Sequence, residues 1–526
     1  MLDYLIRYLK YKKRSKIRSY MRGYNFLNIR KRLLYITQIK DQLVLTSLSG
    51  THLHNLFTDP EKVCLHQFLV SRLLNIEFNK SILRAIVHPK KKLYCALPPQ
   101  WRTVLEKEGF FANTIENRFL WYFFQMKMYF SGLAFGILEF KRIIYKHKLS
   151  KTPFIYLDDL TKNNLPDDDF QDNNILDWVI NRNKKNQFNS IYHSVKKTKP
   201  FRLKNRSIEF IDSIIPSMNT TKRIIHYTLW FSKNAFFYIL KQQDRLLFRE
   251  KIYEKLVRIS DVNQLPKQCY FHNSNHLFRP LWTYEAEKKG VEILFYFYST
   301  HIVPIKLRGE KHIQTNNWNI VTWPNYLVWN QTQFNFIKKQ TSFKSKIEIV
   351  GPIPFRKSND FTLKMSSKKQ LLIFDTQPLR MSLHQSMGLI NEYHTPKNSI
   401  TFLDDINNLA LLFNLKIVLK RKRTHSFVDK KYLRKINQLS TTGRWLFIDP
   451  DFDAELITKK IKPIASISAP YSSTGIITSS FNIPTIYYDS TSKIDTSFEA
   501  NNEICVLTNF ESLSEWFTLI NQKNNA

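Results

Sequence analysis

The stretch from Pro463 to Asp489 constrains the fold more than any other part of the chain, because it carries the pattern of a complete βαβ unit. Residues 464–468 form a short apolar run of the kind that a buried parallel strand uses. Pro470 ends this strand because a proline has no N–H to donate to the ladder. A short helix and an Asn-Ile-Pro break follow, and residues 485–488 begin the next strand. The stretch therefore predicts two parallel strands joined by a crossover helix.

Three hydroxyl side chains, those of Ser472, Ser473 and Thr474, stand where this helix begins. Serine and threonine are natural N-caps, and the free N–H groups of a helix start attract anions, above all phosphate. The spacing alone favours a purely structural cap and a phosphate site about equally. Both interpretations therefore stay open at the level of the residues.

The charge balance of the chain favours an anionic partner. Its 526 residues include 80 Lys and Arg against 43 Asp and Glu, which gives a formal net charge of +37. Nucleic acid, anionic lipid headgroups and phosphorylated or acidic sugars are the partners that such a charge attracts. Only 11 glycines are present, and neither a GxGxxG nor a GxxxxGK[ST] motif occurs. The sequence therefore lacks the glycine-dependent nucleotide-binding fingerprints.

The cysteines and the N-terminus predict a cytoplasmic location. Cys64, Cys95, Cys269 and Cys505 lie far apart, without the spacing of a metal site or a disulfide framework. The basic N-terminal residues are not followed by a continuous apolar run, so we expect no secretory signal.

Two segments of the first third suggest contact with a membrane surface. Residues 1–40 hold twelve Lys and Arg and one acid, interleaved with aromatic and aliphatic side chains. Such a basic amphipathic segment favours an anionic membrane surface, although nucleic acid or a solvated face remain alternatives. Residues 119–140 approach the length of a membrane span, but Gln125, Lys127 and Glu139 interrupt or bound them. A buried or membrane-grazing helix is the favoured interpretation.

A second βαβ pattern covers residues 269–299 and ends its first strand in a polar loop. The side chains of this loop are His272, Asn273, His276 and Arg279. In open α/β sheets ligands bind at the carboxyl ends of parallel strands, so the loop is a candidate site. A structural role for the histidines is equally consistent with the pattern. The acidic residues 158–174 are interpreted as a solvated loop, not as a metal site.

Strands and helices alternate again from residue 370 onward. One strand of this block ends in a basic loop with Lys420, Arg423 and His425, side chains that suit a developing negative charge. A solvated charge run is the alternative. Two such blocks predict an α/β protein with two doubly wound domains facing one cleft. The expected division is a basic helical extension over 1–85, a first domain over 86–358 and a second domain over 359–526.

Several short motifs carry a resemblance to a known family. They are Arg279-Pro-Leu-Trp-Thr-Tyr-Glu, Asp375-Thr-Gln377-Pro, Lys420-Arg-Lys-Arg and Ser468-Ala-Pro-Tyr-Ser-Ser-Thr. The chain resembles the bacterial surface-polysaccharide biosynthesis proteins with a "PFTS" motif, which reads Pro470-Tyr-Ser-Ser473 here. The resemblance implies a role in making capsule, O-antigen, lipopolysaccharide or a related glycan. It also implies a GT-B-like glycosyltransferase with Rossmann-like domains, whose C-terminal domain binds the nucleotide sugar.

The positions of the candidate residues, and not the family resemblance, suggest their expected roles in such a transferase. Ser472, Ser473, Thr474, Lys420, Arg423, His425 and Gln377 would hold the nucleotide sugar and its phosphate. His276 or His272 would be the catalytic base, with Asn273 and Arg279 on the acceptor-side loop. No metal and no cofactor are expected.

The expected partners follow from the same resemblance. They are a nucleotide-sugar donor, a lipid-linked or surface glycan acceptor, and an anionic inner-membrane surface that the basic N-terminus contacts; no nucleic acid is expected. The late Ser/Thr pair is similar to sialyl- and Kdo-type transferases that use CMP-activated acidic sugars. Where those enzymes carry His-Pro, this chain reads Arg423-Thr-His425-Ser.

Two functions from other classes remain as alternatives. A non-catalytic protein that binds a polyanion or glycan would use the positive charge alone and would not need Ser473. A sugar-nucleotide epimerase on the same scaffold would consume a nucleotide sugar without any acceptor.

Overall fold

The computed structural model describes the greater part of the chain. The described residues are 38–46, 57–73, 78, 81–82, 85, 93, 95–111, 114–144, 153–166, 174–184, 188–196, 198–211, 214, 221–299, 308–309, 317–354, 369–376, 378–379, 395–421, 428–450, 452–496 and 504–523.

The first sheet has eight strands in the order β3-β4-β2-β1-β5-β6-β7-β8. Its strands are β1 (Phe154–Leu157), β2 (Ser190–His193), β3 (Phe201–Leu203), β4 (Arg206–Phe210), β5 (Gln268–His272), β6 (Glu292–Tyr296), β7 (Asn325–Val328) and β8 (Lys346–Ile349). All neighbours pair in parallel except the edge hairpin of β3 with β4. The strands β2 to β4 lie on one side of β1, and β5 to β8 lie on the other side. A topological switch point therefore lies between β1 and β5.

The second sheet has six strands in the order β11-β10-β9-β12-β13-β14. Its strands are β9 (Gln370–Phe374), β10 (Lys416–Lys420), β11 (Trp445–Ile448), β12 (Ala465–Ser468), β13 (Thr485–Tyr488) and β14 (Val506–Leu507). Every pair is parallel, and the order is that of a Rossmann sheet with its switch point between β9 and β12. The βαβ unit predicted from residue 463 onward is therefore the unit that starts the second half of this sheet.

Thirteen helices with defined ends accompany the two sheets in the described residues. They are α1 (Pro60–Leu73), α2 (Pro99–Lys107), α3 (Thr114–Ile144), α4 (Ile175–Arg182), α5 (Thr221–Phe237), α6 (Gln242–Ile259), α7 (Trp282–Lys288), α8 (Gln331–Gln340), α9 (Pro396–Leu412), α10 (Lys430–Ser440), α11 (Ala454–Ile461), α12 (Ser473–Ser479) and α13 (Phe510–Lys523).

The central strands are apolar on both faces because helices cover both sides of each sheet. In β6 the four residues from Ile293 to Tyr296 are all buried, and in β9 the four from Leu371 to Phe374 are. Two doubly wound α/β domains facing a cleft, the predicted GT-B-like class, are thereby confirmed.

The described part of the predicted N-terminal extension packs into the first domain. Ile39, Leu43 and Leu73 belong to the same buried apolar cluster as the strands of the first sheet. Gln67 on α1 donates to the Ile320 carbonyl at 2.8 Å. Residues 1–37 and the expected domain boundary at 358/359 lie outside the described residues, so the division into domains stays a prediction.

The two domains meet at helix α12. Ile476 and Ile477 pack against the apolar cluster of the first domain, and Ile477 also contacts a second-domain cluster. The backbone N–H of Arg308 donates to the Lys493 carbonyl at 2.8 Å. The packing of Ile476 and Ile477 on the first domain places the start of α12 opposite the carboxyl edge of the first sheet.

Candidate functional site

A cavity of about 480 Å³ lies between the two domains. The first domain lines it with Asp159, Thr161, Asn164, His272, Ser274, Tyr298, Trp329, Pro352, Ile353 and Pro354, and the second with Asp453, Glu455, Ser473 and Ile477. These residues follow the carboxyl ends of β1, β5, β6, β7 and β8 in the first domain, and of β11 and β12 in the second. The cavity therefore opens at the switch point of the first sheet, where an open α/β sheet binds its ligands.

His272 ends β5, and its imidazole is nearly buried in the wall of the cavity. Nδ1 accepts a hydrogen bond from the Ser274 backbone N–H at 3.3 Å, while Nε2 lies 3.0 Å from the Asp159 carbonyl oxygen. The network thus assigns the proton to Nε2, which donates to that carbonyl. Burial lowers the pKa of His272 and keeps the ring neutral. Both ring nitrogens are engaged, so His272 holds the loop after β1 in this conformation.

Asp159, on that loop, is a cavity residue that the sequence analysis missed. Its backbone adopts a left-handed φ of 50°, and its Oδ2 accepts from Asn275 Nδ2 at 3.0 Å. About 55% of its side chain remains exposed. The neighbouring Asp158 accepts from the Tyr156 hydroxyl at 3.1 Å, and burial raises the pKa of Asp158 to about 6.

The interpretation of residues 158–174 as a solvated loop therefore fails at Asp158, whose carboxyl group is desolvated, whereas Asp159 is exposed but lines the cavity. The available signal was the position of two carboxylates directly after a buried strand of a parallel sheet. The asparagine-rich residues that follow have the composition of a solvated loop, and they led to the same prediction for the two carboxylates.

Asn273 joins the loop after β5 to the loop after β6. Its Nδ2 donates to Ser299 Oγ at 3.0 Å, and its Oδ1 accepts from the Tyr298 backbone N–H at 3.2 Å. Asn273 itself is buried and does not line the cavity, whereas Ser274 and Tyr298 do. Their hydroxyl groups lie 2.9 Å apart. Asn273 thus positions two polar groups that face the cavity.

The structure separates His276 from the cavity. The chain makes a 3₁₀ turn over Asn273–Asn275, and the His276 ring then stacks on Trp318 with the ring centroids 4.6 Å apart. The His276 carbonyl accepts from Trp323 Nε1 at 2.8 Å. His276 is thus close to His272 in the sequence but does not line the cavity, because its ring packs on Trp318 after the turn.

Arg279 has a structural position and not the expected one on an acceptor-side loop. Its guanidinium is fully buried, donating to Thr283 Oγ1 at 2.9 Å, to the Thr322 carbonyl at 2.7 Å and to Glu287 Oε2 at 2.5 Å. It also lies over the Tyr284 ring. These contacts join α7 to the segment before β7, and they leave the guanidinium out of reach of a ligand in the cavity.

The hydroxyl cluster of the second domain lies at the start of α12, as predicted, but only Ser473 lines the cavity. Thr474 Oγ1 lies 2.9 Å from Ser472 Oγ and 3.2 Å from Ser468 Oγ. The N-cap Ser472 forms no side-chain cap hydrogen bond with the helix. The hydroxyls therefore bond to one another, and Ser472 does not act as a conventional N-cap.

The backbone around this cluster is tightly packed. Tyr471 has a left-handed φ of 58°, and the Tyr487 hydroxyl donates to the Ser472 carbonyl at 3.0 Å. A Cβ atom on Gly475 would lie 2.5 Å from the Tyr487 ring, so this position admits only glycine without rearrangement. The packing of Tyr487 thus fixes where the Ser473 side chain sits.

The basic loop of the second domain is described only in part. Lys420 ends β10, and its Nζ donates to the Pro450 carbonyl at 3.2 Å without lining the cavity. Arg423, His425 and Gln377 lie outside the described residues, so their expected contacts with a nucleotide sugar stay predictions.

Two further carboxyl groups that sequence reasoning missed line the second-domain side. Asp453 caps α11 by accepting from the N–H groups of Glu455 at 2.8 Å and Leu456 at 3.2 Å, and burial raises its pKa. Glu455 pairs with Lys459 at 2.8 Å. Nowhere in the described residues do three His, Cys, Asp or Glu side chains come together as metal ligands. The expected metal-free site remains a prediction.

A family model described as "Polysaccharide biosynthesis PFTS motif protein" matches residues 229–517, which is more than half of the chain. This match confirms the resemblance drawn from the motifs. It includes the strand ends that carry His272 and Ser473 but not the β1 loop that carries Asp159. No protein with a curated description matches the chain.

The solved structures that resemble this fold have low sequence identity to the chain. The wall teichoic acid polymerase TagF is 11% identical over 76% of this chain and 90% of that one, with a TM-score of 0.39. The UDP-GlcNAc 2-epimerase of Methanocaldococcus jannaschii is 10% identical over 70% and 92%, with a TM-score of 0.33. TarM is 12% identical over 48% of each chain, with a TM-score of 0.29. The match thus spans about half of TarM. At TM-scores below 0.5, these similarities carry no argument about activity.

Proposed function

The chain belongs to the PFTS-motif polysaccharide biosynthesis family, and from that membership we propose that it is a glycosyltransferase that moves a sugar from a nucleotide sugar to a glycan acceptor. The observation that carries the proposal is the cavity of about 480 Å³ between two doubly wound domains, which both domains line with polar side chains among apolar ones. A two-substrate transfer needs two binding walls that face each other, and this size suits one sugar with part of its nucleotide.

The donor would bind on the second-domain wall. The Rossmann order of the second sheet puts its switch point at β9 and β12, directly before the hydroxyl cluster of α12. Ser473 would contact the donor phosphate, with Ser472 and Thr474 holding the backbone of the turn. Lys420, Arg423, His425 and Gln377 would complete this side and neutralise the charge of the leaving phosphate. A CMP-activated acidic sugar is one candidate donor, and the missing His-Pro motif after β10 counts against it.

The acceptor would bind on the first-domain wall, and we assign its deprotonation to Asp159. Of the two histidines expected to be the base, His276 lies away from the cavity, and both nitrogens of His272 are engaged. The half-exposed carboxylate of Asp159 would accept the proton of the acceptor hydroxyl as that oxygen attacks the anomeric carbon and the nucleotide leaves with the bonding electrons. His272 would act by holding the Asp159 backbone.

The same proposal extends to the acceptor, the pathway and the cellular location of the reaction. We expect a lipid-linked or surface glycan as acceptor, in capsule, O-antigen or lipopolysaccharide synthesis. The protein would work in the cytoplasm, peripherally attached to the inner membrane through the basic residues 1–40. No metal, cofactor or nucleic acid takes part in the proposed reaction.

Ser473→Ala tests the donor site through thermal stability. The purified chain is heated with CMP, CDP, UDP, GDP or UMP, each in large excess. A nucleotide at about a hundredfold excess over its Kd stabilises the folded state by about 2.7 kcal/mol, so one base should raise the Tm of the wild type. We expect Ser473→Ala to lose that rise.

The matched control is Ser480→Ala at the other end of the same helix, where the hydroxyl donates to the Ile477 carbonyl at 2.7 Å. This variant should keep the full rise in Tm. The absence of a rise with any nucleotide would argue for the non-catalytic binding protein. Turnover of the nucleotide sugar without any acceptor would argue for the epimerase.

A further inference from the structure

Helix α3 buries three polar side chains on its inner face, beside apolar ones such as Trp121 and Tyr129. Asn117 on the inner face donates to the Cys95 carbonyl at 2.8 Å, and Gln125 accepts from Arg245 Nε at 2.9 Å. Glu139, also buried, pairs with Arg142 at 2.8 Å. Two of the polar residues that interrupt this apolar segment in the sequence, Gln125 and Glu139, are therefore buried and hydrogen-bonded, whereas Lys127 is exposed.

The outer face of α3 is correspondingly apolar. Its exposed large side chains are Ile115, Phe119, Tyr122, Phe123, Phe130, Ile137 and Leu138, and Phe119 and Phe123 are exposed by 67% and 63%. Their spacing follows the helical repeat, so they form one stripe along the helix. A stripe of this length on a surface helix marks an interaction site, because isolated exposed apolar residues do not line up in this way.

Helix α5 continues this apolar face beside α3. Its exposed side chains include Ile225, Leu229, Phe236 and Phe237. Contacts between Phe140 and Tyr227, and between the Tyr129 hydroxyl and the Ala235 carbonyl, show that the two helices run antiparallel. Both helices rest on Phe248 of α6, through Tyr129 and Phe231. Their outer faces therefore point away from α6 and form one surface, here called the α3–α5 face.

The charges on the two helices favour an anionic occupant. Arg118, Lys127, Lys141 and Lys233 are exposed among the apolar side chains. The only acids on the two helices are Glu116 and the buried Glu139. Two copies of a chain with a net charge of +37 would repel each other if their α3–α5 faces met. An anionic bilayer would instead attract this face.

We propose that the α3–α5 face docks onto an anionic lipid bilayer, with its aromatic side chains in the interface and its lysine and arginine heads at the phosphates. In this arrangement both helices lie in the plane of the bilayer surface. Among the described residues, no helix has the length and apolar character of a membrane-spanning segment. This contact is separate from the one proposed for residues 1–40. It does not depend on the glycosyltransferase proposal, because vesicle binding is measured without turnover.

Vesicle flotation of the full chain tests the proposal. The vesicles contain phosphatidylcholine with phosphatidylglycerol, or phosphatidylcholine alone. We expect the wild type to float with the anionic vesicles, and Phe119→Ser/Phe123→Ser/Phe130→Ser to lower the partition coefficient about tenfold or more, because it removes three apolar anchors. All three side chains are exposed, so the fold should survive, which far-UV circular dichroism and the melting temperature verify.

Two matched controls separate the face from general effects. Leu411→Ser/Leu412→Ser/Leu519→Ser removes exposed leucines from the second domain and should float like the wild type. Lys127→Glu/Lys233→Glu should weaken binding to the anionic vesicles, whereas Lys430→Glu/Lys431→Glu, with the same charge change elsewhere, should weaken it much less.

Three outcomes would overturn the proposal. The first is a wild type that does not float with anionic vesicles. The second is a triple phenylalanine variant that floats as well as the wild type, which would assign membrane binding to residues 1–40 alone. The third is a wild type that does not bind vesicles and sediments as a dimer that the same variant dissolves, which would make a second copy the occupant.

Discussion

At the scale of single residues, the site depends on where each polar side chain points after its strand ends. Asp159 faces the cavity because a left-handed backbone and the His272 contact turn its loop toward the second domain. His276 and Arg279 follow the same β5 loop, but after the turn at Asn273–Asn275 the His276 ring stacks on Trp318 and Arg279 is fully buried. One turn thus decides which residues of a polar loop are available for chemistry.

Asp159→Asn tests the assigned base. If its carboxylate takes the acceptor proton, kcat should fall about 10²-fold to 10⁴-fold, the range for loss of a general base. The nucleotide-induced rise in Tm should persist, because the donor binds on the other wall. Steady-state kinetics with the identified donor would measure the effect, and Asp261→Asn on the surface of the first domain serves as the control. An unchanged kcat would remove Asp159 from the mechanism.

A buried histidine predicts how stability depends on pH. His193 ends β2, is fully buried, and accepts the Val195 N–H on Nδ1 at 3.2 Å. Burial lowers the pKa of His193 to about 4, so below pH 6.5 the unfolded chain binds a proton that the folded chain does not. The free energy of unfolding should therefore fall as the pH drops from 6.5 to 4, by up to about 3 kcal/mol from this residue.

Urea unfolding at several pH values measures this effect as the difference between the wild type and His193→Gln. The wild type should lose stability more steeply toward pH 4 than the variant. His226→Gln changes an exposed histidine of α5 and should leave the slope of the wild type unaltered. Parallel slopes for the wild type and His193→Gln would contradict the expected proton uptake.

At the scale of elements, glycines set how closely the helices of the first domain pack. A Cβ atom on Gly132 of α3 would lie 2.8 Å from Phe248 Cβ of α6, and one on Gly136 would lie 2.1 Å from the Phe231 ring of α5. In an open helix, glycine to alanine would stabilise by about 1 kcal/mol. Here the neighbouring atoms reverse the sign, because Phe248 Cβ is too close to its own backbone to rotate away.

Gly132→Ala is therefore expected to destabilise the chain by about 1–3 kcal/mol through overpacking. Chemical unfolding followed by tryptophan fluorescence would measure the change. Ser131→Ala, at the exposed position beside it, should have little effect or stabilise slightly. A Gly132→Ala variant as stable as the wild type would mean that α3 and α6 can move apart at no cost.

At the scale of the whole molecule, helix α12 both joins the two domains and lines the cavity between them. Ile476 and Ile477 of the second domain pack against the apolar cluster of the first, and the same helix presents Ser473 to the cavity. Stability of the interface and geometry of the site therefore depend on one short helix.

Ile477→Ala should weaken this interface by about 1–2 kcal/mol, since the half-buried side chain loses contacts in both domains. In differential scanning calorimetry we expect the second domain to melt separately and earlier than in the wild type. Leu519→Ala, which shortens an exposed side chain of α13, should keep the melting profile of the wild type. An unsplit, unshifted profile for Ile477→Ala would show that other contacts fix the domains.

The sequence by itself determined the α/β class, the two doubly wound blocks, the family and the position of the hydroxyl cluster before a short helix. Local patterns predict these features, because neighbouring residues determine whether a strand is buried on both faces and where a helix begins and ends. Only the tertiary structure decided that Asp159 and Ser473 share a cavity, that Arg279 is structural, and that α3 turns its apolar face outward. These outcomes depend on contacts between residues more than a hundred positions apart, such as Asp159 with His272 and α12 with the first domain, which no local pattern contains.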